Sequence, residues 1–92
     1  MIAKTIRING HVQGVFFRRQ SKDKADELGV TGSVRNCEDG TVEIHAEGEP
    51  EAVAKFIDWC HEGPRGAMVE SVQMEDAESK DYASFDITDK ST

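Results

Sequence analysis

Arg18 closes the stretch Ile8-Asn9-Gly10-His11-Val12-Gln13-Gly14-Val15-Phe16-Phe17-Arg18, in which two glycines bracket a short loop and a guanidinium arrives where a helix should begin. Strand, glycine loop and helix start, in that order, make an anion cradle. Successive backbone N–H groups and one forked cation converge on a volume the size of a phosphate. Arginine suits the task better than lysine because its planar fork meets two oxyanion oxygens at once. Its position is otherwise awkward. A helix N-terminus carries partial positive charge and favours anions, so a cation there makes sense when an anion lies between the two. No acid occurs from residue 8 to residue 17, which leaves the loop locally positive in a chain of formal net charge −7.

Asn36 is the second residue of interest. It ends an apolar-alternating run just before Cys37-Glu38-Asp39-Gly40, and on composition it reads first as a turn-former. The other chemistry-bearing residues suggest less. His11 lies in the glycine loop and is expected to face solvent. His45 falls on the outward face of a strand, and His61 sits at a helix end beside Glu62. The order of residues suggests no Ser-His-Asp or Cys-His arrangement. Cys37 and Cys60 form no CxxC motif and lie at no metal spacing from a histidine, so both are expected to be reduced and Cys60 to be core. Neither a metal nor another cofactor is expected.

The elements that must position these residues follow from periodicity. Ile2–Asn9 alternates with Ile2, Ile6 and Ile8 on one face, and the loop Gly10–Phe16 follows. A helix over 17–28 carries the inward stripe Phe17, Ser21, Ala25 and Leu28, with Gly29 as its C-cap. Val30–Asn36 and Thr41–Ala46 form a hairpin about the Asp39-Gly40 turn, with Val42, Ile44 and Ala46 inward. Pro50 opens a second helix whose Val53, Phe56, Ile57 and Cys60 recur at helical spacing until Gly63-Pro64 ends it. Val69 to Met74 is a strand, residues 75–81 are a solvated loop, and Tyr82–Thr88 holds a short last strand with Phe85 and Ile87 inward. The order β-α-β-β-α-β plus a short strand predicts an α+β fold of the ferredoxin-like, split βαβ kind, with two helices on one face of an antiparallel sheet.

Size and charge narrow the function classes. The 92 residues are expected to form one domain, able to bury a core without disulfides or metal. No run reaches the roughly 18 apolar residues of a membrane span, and the N-terminus reads as a strand rather than a signal peptide, so a cytoplasmic location is the default expectation. An acidic chain is poorly suited to general nucleic-acid binding. Recognition of RNA on such a sheet needs exposed aromatics on central strands, whereas Thr41–Ala46 turns only Glu43 and His45 outward.

The stretch Ile8–Arg18 resembles the first signature of the acylphosphatase family position for position. Gly32-Ser33-Val34-Arg35-Asn36-Cys37-Glu38-Asp39-Gly40-Thr41-Val42, with Gly48 further on, is similar to the family's second signature. Length, order of elements and the Gly63-Pro64-Arg65 connection also fit. Two positions depart: Ser33 stands where the family usually carries an aromatic residue, and Cys37 where relatives often have threonine or another polar residue. If that hydroxyl assists the asparagine in relatives, a thiol replaces it poorly.

The resemblance implies hydrolysis of acyl phosphates, R–CO–O–PO₃²⁻, to a carboxylate and inorganic phosphate. It implies that the amides of His11, Val12, Gln13, Gly14, Val15 and Phe16, with Arg18, bind the phosphoryl group, and that Asn36 positions the attacking water. The expected ligands are a small acyl phosphate and, at the same site, inorganic phosphate or sulfate, in a monomer without nucleic-acid or membrane partners. Two alternatives stand beside it. One is a binding module of the same fold without catalysis. The other is a domain like the acylphosphatase-like segment of larger carbamoyl-transferring maturation enzymes, acting on carbamoyl phosphate.

Overall fold

The structure, a computed structural model, describes residues 1–89. Its elements follow the expected order: β1 (Ile2–His11), α1 (Phe17–Leu28), β2 (Thr31–Asn36), β3 (Val42–Gly48), α2 (Pro50–Glu62), β4 (Met68–Asp76) and β5 (Phe85–Ile87). No helix among the described residues is long and apolar enough to cross a membrane.

Local chemistry sets the helix limits. Pro50 occupies the first turn of α2, where its missing N–H costs nothing, and the Gly29 N–H closes α1 on the carbonyls of Ala25 and Asp26. α1 buries Phe17, Ser21 and Ala25, and α2 buries Val53, Phe56 and Cys60. Ser21 is tolerated in that stripe because its hydroxyl donates to the Phe17 carbonyl at 2.7 Å. These stripes pack on Ile6, Ile8, Val34, Val42, Ile44 and Ala46 of the sheet. Phe56 meets Phe85 edge-on with centroids 5.6 Å apart, and Phe17 meets Trp59 at 5.5 Å. Such pairs add about 0.5–1.5 kcal/mol each beyond the burial of their area.

The sheet order is β4-β1-β3-β2-β5. The four longer strands are antiparallel neighbours, but β5 runs parallel to β2, with Gly32 opposite Phe85 and Val34 opposite Ile87. The four-stranded part is antiparallel as expected, and the short last strand makes the five-stranded sheet mixed. The cause is the path of the chain. β4 ends at one border, beside the start of β1, and β5 lies on the opposite border. The connecting segment must cross the face that the helices leave open, and it emerges beside the start of β2 and runs along with it.

That crossing adds to two expectations from the sequence. Residues 75–81 are solvated as expected, all but the half-buried Ala77 being exposed, but Glu75 and Asp76 extend β4 and the segment after them straps the open face. The Ser79 hydroxyl and the Lys80 N–H donate to the Glu47 carboxylate, and Tyr82 packs its ring 5.3 Å from that of His45. His45 does point away from the helices, yet it is 8% exposed and donates from Nε2 to Glu47 at 2.6 Å. Burial works against the Glu47 charge, but the donors from Lys80, His45 and Ser79 outweigh it and hold the carboxyl below its usual range.

Two smaller differences also have physical causes. Ile87, expected inward with Phe85, is 38% exposed because it ends a three-residue border strand that the core does not reach. Gly10 and His11, expected in the loop, still belong to β1, because Val69 and Met68 at the start of β4 supply them with partners.

Candidate active site

The loop is built by backbone geometry before any side chain acts. The β1–β4 register shifts between Asn9 and Gly10, and Gly10 adopts φ +133°. A Cβ there would stand 2.0 Å from the Met68 carbonyl oxygen, so only glycine permits this approach of the two strands. Val12, fully buried, then pins the loop to the core. Beyond it Gly14 (φ +75°) and Phe16 (φ +62°) are left-handed, with Val15 between them outside that region. Alternation of this kind turns consecutive N–H groups toward one concave side, which is the geometry of an anion-binding nest. For Phe16 the left-handed conformation costs about 1–2 kcal/mol, and its ring is left 76% exposed.

The nest opens directly into α1. Phe16 is the N-cap residue, no side chain caps the helix, and no acid lies in its first turn. Helix geometry leaves the first amides without acceptors inside the helix, and the Gln20 N–H is the first to find one, on the Phe16 carbonyl at 3.0 Å. Nest and helix end together present a set of donors to an anion.

Arg18, on the first turn of α1, is mostly buried. Its Nη1 donates to Asp89 Oδ2 at 2.8 Å. Asp89 arrives from the far end of the chain: the Thr88 N–H bonds the Val34 carbonyl at 3.0 Å, which extends the β2–β5 ladder and delivers the next residue to the helix start. The acid-free stretch from 8 to 17 thus has an acid beside it after all, from a segment that nothing in the loop sequence announces.

Asn36 ends β2 opposite Val42, at the same end of the sheet as the close of β1 and the start of α1. Its side-chain Oδ1 is buried and meets no hydrogen-bond donor among the described residues. The turn that follows is closed by the Cys37 N–H on the Thr41 carbonyl (2.8 Å) and the Gly40 N–H on the Cys37 carbonyl (3.1 Å). Asp39 Oδ1 accepts from the Thr41 hydroxyl (2.7 Å) and the Thr41 N–H (3.0 Å), and these bonds hold its carboxyl below the usual range. Arg7 reaches across from β1 to the Thr41 hydroxyl at 3.0 Å and to Glu43 at 2.8 Å. From the loop, Gln13 Nε2 donates to the carbonyls of both Cys37 (2.8 Å) and Thr41 (2.9 Å).

The fold therefore gathers the loop, Arg18 and Asn36 at one end of the sheet, with Gln13 joining loop to turn. His11 is exposed at the tip of β1. His61 bonds its own helix through Ile57, and burial pushes the Cys60 thiol up. Cys37 contributes its backbone to the turn, so a thiol at that position leaves the turn's hydrogen bonds intact. Ser33, the other departure, faces His45 across the ladder and lines a cavity of about 310 Å³ with Thr5, Arg35, Lys80 and Tyr82. By strand alternation that cavity lies on the other side of β2 from Asn36. No group of three or more His, Cys, Asp or Glu side chains suited to a metal occurs among the described residues. Periodicity does not single out Asp89, Arg7 or the side chain of Gln13, because their partners are distant in the chain.

Residues 4–87 match the family model described as Acylphosphatase. An acylphosphatase from a Nocardioides species is 49% identical over 85 residues, covering 92% of this chain and 86% of that one. The crystal structure of acylphosphatase from Bacillus subtilis superposes with a TM-score of 0.91 at 33% identity, covering 95% of this chain and 98% of that one. A structure described as full-length HypF in the phosphate- and nucleotide-bound form superposes with a TM-score of 0.86 at 30% identity. It covers 96% of this chain but only 12% of that much longer one.

Proposed function

The chain belongs to the acylphosphatase family, and we propose that it hydrolyses the carboxyl–phosphate bond of small acyl phosphates through the loop 11–16, Arg18 and Asn36. The reaction asks little of a protein. The leaving group is a carboxylate with a pKa of about 4–5, judged by Asp and Glu, and it departs without a proton from a general acid. What remains is to hold the phosphoryl oxygens, spread their charge and aim a water molecule.

In this reading the amides of His11, Val12, Gln13, Gly14, Val15 and Phe16 bind the phosphoryl oxygens, and the Arg18 guanidinium stabilises the charge they gain at the transition state. The Asn36 side-chain oxygen accepts a hydrogen bond from a water molecule and holds it in line behind phosphorus, a restriction worth several kcal/mol of barrier. The P–O bond to the acyl group breaks as water oxygen bonds to phosphorus. The acyl oxygen leaves with the electron pair as carboxylate, and a water proton passes to a phosphate oxygen. Neither a metal nor a cofactor takes part. Arg18 must exchange part of its interaction with Asp89 for the incoming phosphoryl group.

The observation that carries this reading is the alternation of left-handed Gly14 and Phe16 at the mouth of an uncapped helix whose first turn holds Arg18. It is tested by phosphate release from acetyl, benzoyl and carbamoyl phosphate beside p-nitrophenyl phosphate. Turnover of acyl phosphates well above that of the monoester is the expected outcome. Absence of release from all four would replace the enzyme by a binding module.

A further inference from the structure

We propose that the side chain of Gln13 is a positioning residue that sets Asn36 at its working distance from the phosphoryl cradle. This rests on the acyl phosphate hydrolysis proposed above, and it goes beyond the loop's backbone role there. Its single Nε2 group donates to two carbonyls, those of Cys37 at 2.8 Å and Thr41 at 2.9 Å. Both oxygens are already satisfied within the turn, one by the Gly40 N–H at 3.1 Å and the other by the Cys37 N–H at 2.8 Å. The turn closes without Gln13. Gln13 instead uses the second lone pair of each carbonyl, and so couples two segments of chain that have separate supports.

Those segments are the two halves of the proposed chemistry. Gln13 stands in the loop immediately before Gly14, and Cys37 immediately follows Asn36. On the far side the turn is held by Arg7, through the Thr41 hydroxyl and Glu43. That anchor fixes the turn to β1 but not to the tip of the loop. Among the described residues Gln13 ties the tip, and two bonds from one nitrogen constrain direction as well as distance. A water molecule on Asn36 attacks a phosphorus atom held by the loop, and a misplacement of about 1 Å between such partners costs on the order of 100-fold in rate.

The test is a double-mutant cycle on acetyl phosphate turnover. Gln13→Met keeps the length and apolar bulk of the side chain and removes both donors. Gln13→Ala removes the bulk as well. Each is expected to lower kcat by about 10- to 100-fold while KM and the competitive inhibition constant of inorganic phosphate stay within about 2-fold, since the cradle amides and Arg18 are unchanged. With Asn36→Ala already present, Gln13→Met should change kcat by less than about 2-fold, because the residue through which it acts is gone.

Four results would overturn the proposal, three of them kinetic. The first is an unchanged kcat. The second is a loss of phosphate affinity as large as the loss of kcat. The third is a full multiplicative effect of Gln13→Met on top of Asn36→Ala. Both variants unfolded at the assay temperature by circular dichroism would count the same way, since Gln13 would then be a determinant of the fold. Absence of acyl phosphate hydrolysis by the unmodified protein strikes the functional reading instead, and it is recorded before any variant is compared.

Discussion

Arg18 and Asp89 stand 71 positions apart in the chain and 2.8 Å apart in the fold. The guanidinium at the head of α1 therefore has a resident carboxylate, held in place by the ladder that Thr88 continues along β2. A phosphoryl group that reaches Arg18 meets both a cation and that cation's existing partner.

Replacing the carboxylate should show the competition. Asp89→Asn is expected to tighten competitive inhibition by inorganic phosphate by about 3- to 10-fold, because a negative charge close to the ligand is removed. The same change should lower Tm by a few degrees, since a mostly buried ion pair loses a partner. Inhibition constants and thermal melts on the same preparations check both. Weaker phosphate binding would show that Asp89 chiefly orients the guanidinium.

Arg18 itself should be close to indispensable. Arg18→Ala is expected to reduce kcat/KM for acetyl phosphate by about 10³-fold or more, and Arg18→Lys to recover little of it, because a point charge cannot reproduce the fork. Steady-state kinetics decide it. A lysine variant within a few-fold of the parent would remove the fork from the mechanism.

Asn36→Ala separates positioning of water from binding of substrate. It should lower kcat by about 100-fold or more and leave KM and phosphate inhibition nearly unchanged. If KM rose as much as kcat fell, the side chain would be a substrate contact instead.

Local signals were legible in the sequence where a residue acts on its own neighbours. Pro50 and Gly29 mark helix limits, Asp39-Gly40 marks the hairpin, and the two glycines around residues 11–13 mark the loop. The alternation of Val42, Ile44 and Ala46 gives the inward face of β3. It does not tell whether the outward face is covered, and so the sequence places His45 outward without revealing the distant strap that buries it. Asp89 escapes notice for the same reason, since its partner is set by the route of the chain after β4. Gln13 escapes because the loop reads as a source of backbone donors, while its side chain acts on carbonyls that no periodicity reveals.

Two glycines of the loop should respond differently to one methyl group. At Gly14 a Cβ meets nothing within 4 Å, so Gly14→Ala costs only the left-handed conformation, about 1–2 kcal/mol. At Gly10 it would meet the Met68 carbonyl at 2.0 Å and the Glu70 nitrogen at 2.8 Å. Gly10→Ala should cost about 3 kcal/mol or more and displace β1 from β4. Urea unfolding of the two variants gives both values, and equal losses would contradict the approach of the strands.

Acid should loosen the strap over the open face. The folded Glu47 carboxyl titrates below its usual range. Its contribution is therefore complete above the unfolded value of about 4.3, and it is lost as pH falls through the folded value. Glu47→Gln should be less stable than the parent at pH 7 and lose less stability than the parent on going to pH 3. Chemical denaturation at the two pH values checks this. Parallel curves for the two proteins would assign the acid sensitivity to other groups.

The order of strands has a consequence for how copies of the chain meet. The sheet is not closed, and its two borders are β4 and β5. β4 carries Glu70 and Glu75 beside an Asp76 that is paired with Lys4 of β1, while β5 offers only three residues with Asp86 among them. Near neutral pH these borders repel one another, and a second copy gains little by adding a strand to either. Acid therefore acts at two places at once. It releases the strap that covers one face, and it discharges the borders that keep foreign strands away, so association is the failure to watch for when this protein is handled at low pH.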